Sequence, residues 1–291
     1  MKINENIEII KKAHTIIKNE YAFRRSTIYI QNSFLEGVKE ENYKKIDNKL
    51  KAIRQDFAKI VVMMNVIDKA YSRYVNESTL SYDLDNEATE ELGCFIEYLF
   101  AKYRVMLEYI YQIMEICILP KLNNVEQNEY KGIRKINEKY EYLLRYVAEN
   151  IDEDNNILNM EWFQNIRKDR NFIIHDGATC LVFGDKENLV FKVMTTDALD
   201  KEEFQTDEFY SKENGIIDYE RYWGLQIAKL IVFFETIMKF LIETCSVSSN
   251  ENNQMDFTYL WERNKLVDEN GTVHGDKQDV LENILEKLIN M

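Results

Sequence analysis

Apolar residues recur along most of the chain at steps of three and four, the period of an α-helix. One run, Ile46, Leu50, Ile53, Phe57, Ile60, Met64, Ile67, Tyr71 and Tyr74, forms a single stripe and predicts a helix over about Asn42–Tyr74. An earlier helix is predicted over about Glu5–Leu35, with Gly37 between the two where a helix terminus uses glycine. Glu87–Leu119 is apolar almost all round, as an interior helix is, and Pro120 ends it. Tyr130, Ile133, Ile136, Tyr140, Leu143 or Leu144, and Val147 predict a helix over about Glu126–Glu149. Asn159 is placed to cap a further helix that reaches His175 or Asp176, and Gly177 supplies its stop. The period then changes. Ala178–Phe183 and Leu189–Thr195 are short β-prone runs around Gly-Asp-Lys-Glu-Asn, which reads as one hairpin over about 178–195. Asp197–Glu220 carries nine acidic residues against two Lys and reads as a solvated connector. Asp218–Thr244 is the next helix. Asp276, with Val280, Ile284, Leu285 and Leu288 behind it, predicts one more amphipathic helix in the tail.

One Pro and nine Gly in 291 residues leave few breakers, which favours long helices over a sandwich or barrel. The expected fold is all-α, an up-and-down bundle of long helices with one small β-hairpin inserted. Three parts are expected: an N-terminal helical arm (1–86), a helical bundle (87–246) and a tail with one helix (247–291). Thirty-seven basic against 51 acidic residues give a net charge of −14, which excludes a generally basic nucleic-acid binder while leaving room for a local basic site. From Lys131 to Arg170 eight basic and eight acidic residues cancel, so no broad phosphate-binding groove is announced there. The apolar stretches Leu92–Leu119 and Tyr219–Thr244 carry charges through their middles, costly in lipid, and read as core helices. The segment MKINENIEIIKKAH has no apolar core of a secretory signal, so a cytoplasmic location is expected. The four Cys form no CxxC pair and the three His are scattered, so neither a zinc site nor a cofactor is expected.

One segment carries candidate chemistry, Asn165–Gly177, NIRKDRNFIIHDG. On a helix at about 100° per residue, Phe163, Ile166, Ile173 and Ile174 fall within about 60° of Arg170. Arg170 therefore sits mid-way across the apolar face, a costly position without a partner or a task. Asn171 and His175, four apart, share a neighbouring face with Gln164 and Lys168. His175 lies in the last turn, where the helix dipole favours imidazolium. An Arg and an ionisable His a few ångströms apart suit phosphodiester cleavage without a metal. The imidazole takes a proton from a 2′-hydroxyl or gives one to the leaving oxygen, and the guanidinium neutralises the phosphate.

At these residues the chain resembles the HEPN superfamily, whose mark is Arg, a polar residue, and His four to six positions after the Arg. Here that is Arg170-Asn171-Phe172-Ile173-Ile174-His175. The resemblance covers roughly Glu87–Thr244. It implies a homodimer in which the motif helices of two subunits face each other and form one composite site. It implies that Arg170 and His175 are catalytic, that Asn171 orients them, and that RNA is cut without a metal. The expected function is that of a metal-independent endoribonuclease of a bacterial defence or toxin–antitoxin system, with a separate antitoxin protein as a partner. The hairpin after the motif and the acidic connector depart from a bare HEPN domain. Some members of the superfamily are inactive or bind nucleotides, so a non-catalytic interaction or nucleotide-binding module is the alternative reading.

The same residues also have ordinary structural readings. Arg170 can pair with a carboxylate inside the third helix, Glu97 or Glu108, and those two are equally candidates to assist catalysis. His175 can cap its helix by binding carbonyls. Arg167 and Lys168 can steer RNA or simply face water.

Overall fold

The structure, a computed structural model, describes residue 14 and residues 40–77, 87–151, 156–158, 179–184, 188–194, 211–212, 216–245, 265–267 and 273–276. Among these the chain is largely helical, with a small antiparallel sheet. Helix α1 spans Glu40–Glu77 and α2 spans Glu87–Ile118. After a 3₁₀ turn at Leu119–Lys121 come α3 (Asn124–Gly132) and α4 (Ile136–Asn150). Strands β1 (Thr179–Gly184), β2 (Leu189–Met194), β3 (Ser211–Lys212) and β4 (Ile216–Asp218) lead into α5 (Tyr219–Cys245). A separate pair, β5 (Lys265–Val267) and β6 (Val273–Asp276), follows. Neither the helix expected before Gly37 nor those expected over 159–175 and 277–288 belongs to the described residues.

The periodic stripe accounts for α1. Ile46, Leu50, Ile53, Phe57, Ile60, Met64 and Ile67 are buried, and Tyr71 and Tyr74 are half-buried. Helix α2 runs to within one residue of its expected end, because Pro120 sits in the first turn of the 3₁₀ segment that follows.

The helix expected over Glu126–Glu149 is two helices. The first is capped by Asn123, whose side chain accepts the N–H groups of Val125 (2.9 Å) and Glu126 (3.0 Å), while Glu126 returns a bond to the Asn123 N–H (2.8 Å). It stops at Gly132. Ile133 and Lys135 are extended (ψ 124° and 132°), and α4 begins after them. The break changes the face that follows. Tyr140, Leu143, Leu144 and Val147 are buried, but Ile136, counted in the same stripe, is 53% exposed.

The hairpin forms as expected, with Thr179 opposite Met194 and Gly184 opposite Leu189. It is not alone. The acidic connector contributes two short strands, giving a four-stranded antiparallel sheet in the order β1-β2-β4-β3. The expectation of a wholly solvated connector fails at its C-terminal end. There Ile217 is buried, and so is Asp218, whose Oδ1 accepts the Arg221 N–H (3.1 Å) as an N-cap does. The tail also holds a strand pair that period alone did not reveal. β5 and β6 are three and four residues long, too short to show alternation.

Two compact units divide the chain, one of residues 1–21, 56–105 and 161–228, the other of 22–55, 106–160 and 229–291. The first is cored by aromatic rings. Phe100 meets Trp223 (centroids 4.9 Å apart), Tyr222 (5.7 Å) and Phe191 (6.2 Å), and the Tyr103 hydroxyl donates to the Gln226 carbonyl (2.9 Å). The second packs α4 on α5, through Tyr140 against Phe233 and Tyr146 against Phe240. No helix among the described residues is long and apolar enough to cross a membrane.

Candidate functional site

Arg170, Asn171, His175, Arg167 and Lys168 lie outside the described residues. What the structure describes is the chain that follows the motif and the two carboxylates proposed to serve it. Strand β1 begins four residues after His175. Its second residue, Cys180, is tied to helix α2 twice. The Cys180 N–H donates to Glu97 Oε1 at 3.0 Å. The Cys180 carbonyl lies so close to Gly93 that a Cβ there would sit 2.5 Å from the oxygen. Gly93 and Glu97 are one turn apart on α2, so one face of that helix receives the start of the sheet.

This assigns Glu97 a structural task the sequence did not reveal: it satisfies a backbone donor in a strand 83 residues away. Glu108 is half-buried on the same helix. Eleven residues of helix separate the two by about 16 Å, so a single guanidinium cannot be served by both.

Around the first two turns of α5 lies a row of buried polar atoms. Tyr219, Trp223 and Gln226, at positions i, i+4 and i+7, share one face and are all at least nine-tenths buried. Among the described residues the Tyr219 hydroxyl, the Trp223 indole N–H and the Gln226 side-chain oxygen have no hydrogen-bond partner. Burial pushes the Tyr219 hydroxyl well above the usual phenol range, and the carboxylates of Asp68 and Glu220 push it the same way. It therefore keeps its proton at neutral pH. His14 is buried edge-on against its ring, 5.6 Å between centroids. Sequence reasoning passed over this row because aromatic residues at helical spacing read as core.

The other unit holds a second hydroxyl cluster. Tyr130 donates to Glu115 Oε1 (2.8 Å), and its oxygen lies 2.7 Å from the Tyr111 hydroxyl, which also reaches Glu115 (3.4 Å). Burial raises both phenols, and the Glu115 charge adds to it. Among the described residues no group of three or more His, Cys, Asp or Glu side chains is arranged to hold a metal ion.

No protein-family model matches the chain, and no curated protein or solved structure matches it either.

Proposed function

We propose that the chain is a HEPN-type helical protein, and within that class a homodimeric, metal-independent endoribonuclease of a bacterial defence or toxin–antitoxin system. The observation that carries the reading is the run Arg170-Asn171-Phe172-Ile173-Ile174-His175, an arginine followed by a polar residue and, five positions after the arginine, a histidine. The long helices α2 and α5, before and after the motif, support it. So does the seat of strand β1, which begins four residues after His175 in the sequence and is held on α2 at Gly93 and Glu97.

In this reading His175 accepts the proton of a ribose 2′-hydroxyl. The freed oxygen attacks the adjacent phosphorus, and the bond to the 5′-oxygen of the next nucleotide breaks. That oxygen takes a proton from an imidazolium, the second one of the composite site. The products end in a 2′,3′-cyclic phosphate and a 5′-hydroxyl. Arg170 holds the non-bridging oxygens as negative charge builds, and Asn171 orients the pair. Glu97 acts through the backbone as a positioning residue.

The test is incubation of the purified chain with single-stranded RNA in EDTA. Cyclic-phosphate ends are expected from the wild type and none from His175→Ala with an unchanged circular dichroism spectrum. Undiminished cutting by that variant removes the mechanism. The charge of −14 favours a second reading, a non-catalytic interaction or nucleotide-binding module, since RNA must approach against repulsion. Absence of cutting by the wild type, with saturable nucleotide binding that needs Arg170, would establish that reading instead.

A further inference from the structure

In a protein this acidic, cations are expected to be compensated. One surface of the unit comprising 22–55, 106–160 and 229–291 gathers several of them together. Two open depressions of about 530 and 610 Å³ adjoin at Lys45, which lines both, and are taken together as a track. Five cations line it: Lys44, Lys45 and Lys49 from α1, Arg134 from the break between α3 and α4, and Lys139 from α4. Lys44, Lys49, Arg134 and Lys139 pair with no carboxylate among the described residues. Lys49 stands over the Tyr109 ring (5.1 Å) and Lys139 over the Tyr130 ring (4.9 Å), contacts that hold an ammonium in place without cancelling its charge. Two carboxylates also line the track, one ion-paired and one that keeps its charge while hydrogen-bonded. Glu41 lies 3.5 Å from Lys45, and Glu115 accepts the two tyrosine hydroxyls. Hydrocarbon is present beside the charge, from Ile116 and the exposed Ile136.

We propose that this track binds the sugar–phosphate backbone of single-stranded nucleic acid. It is shallow and open, whereas small ligands are held in concave sites that bury most of their surface. A linear polyanion suits cations drawn from three elements around an open surface. The track's hydrocarbon suits bases and riboses, which a plain ammonium patch would not. A strand is thin enough to meet these cations within a Debye length, about 8 Å at physiological salt. A folded acidic partner would meet the rest of the negative surface as well. Binding here requires neither Arg170 nor His175, so it stands apart from the ribonuclease reading.

The test is fluorescence anisotropy with a labelled 20-nucleotide oligouridylate in EDTA, using full-length His175→Ala so that the probe stays whole. Neutralising four phosphates predicts a salt slope of about −2.8, hence about 50-fold weaker binding at 200 than at 50 mM salt. Lys45→Glu with Arg134→Glu reverses two exposed charges, and affinity is expected to fall at least tenfold with a shallower salt slope and an unchanged circular dichroism spectrum. Lys49→Gln with Lys139→Gln, which removes charge without reversing it, is expected to weaken binding as well. Unchanged affinity in both double variants overturns the proposal. So does absence of binding at 50 mM salt, or displacement of the RNA by polyglutamate at equal phosphate and carboxylate concentrations. Failure of the ribonuclease reading looks different: the wild type leaves RNA uncut while these binding results stand.

Discussion

Replacing Gly93 by Ala sets two effects of opposite sign against each other. Gly93 lies inside α2, where Ala is favoured over Gly by about 1 kcal/mol. The added Cβ would stand 2.5 Å from the Cys180 carbonyl oxygen. An ordinary carbon–oxygen contact is about 3.3 Å or more, so helix and strand must part by about 0.8 Å. The oxygen cannot swing away, because it belongs to a backbone paired with β2 along six residues. The neighbouring N–H is also committed, to Glu97 at 3.0 Å. Overpacking of this kind costs about 1–3 kcal/mol, and weakening a hydrogen bond to a charged carboxylate costs about 1.5–3 more. The two costs share one displacement and do not add fully. Against the gain in propensity, the net loss is about 2–4 kcal/mol, and the melting temperature is expected to fall by roughly 3–7 °C. The control is Gly132→Ala at the end of α3, where an added Cβ meets nothing within 4 Å and stability is expected to hold or rise slightly. Thermal unfolding followed by circular dichroism compares the three proteins. A Gly93→Ala variant as stable as the wild type would mean that β1 does not rest on α2, and the anchoring of the chain after the motif would go with it.

Tyr111, Tyr130 and Tyr219 are all held above the usual phenol range, chiefly by burial. The unfolded chain releases their protons near pH 10 and the folded chain retains them, so stability is full below pH 10 and is lost as pH rises beyond it. Absorbance at 295 nm should show these three ionising only with unfolding, and tyrosines that all titrate together near pH 10 in the folded protein would contradict this. Cys94 is exposed whereas Cys117 and Cys180 are buried. Brief alkylation followed by peptide mass spectrometry should therefore find Cys94 modified before Cys117 and Cys180, and early labelling of Cys180 would argue against its seat beside Gly93.

Residue order by itself determined the features that depend on neighbours a few positions apart. The stripe from Ile46 to Ile67, the all-round apolarity of α2 with Pro120 behind it, and the hairpin of β1 and β2 were legible because helical and strand periods are local properties. The candidate motif at Arg170–His175 is local in the same sense. Tertiary structure decided what local signals could not carry. Ile133 and Ile136 continue the apolar period in sequence, yet the chain breaks between Gly132 and Ile136 and leaves Ile136 in the open. The short strands β4 and β3 exist because β2 offers β4 a hydrogen-bonding edge and β4 offers the next one to β3, not because their few residues favour extension. Glu97 could be read as a catalytic assistant or an ion-pair partner until a backbone N–H 83 residues away was found on it. Charge shows the difference most directly. Along Lys131–Arg170 the signs cancel, but the field at a surface depends on distance through space. Folding sets Arg134 and Lys139 beside Lys45 and Lys49, about 90 residues earlier in the chain, and a sum along the sequence has no term for that proximity.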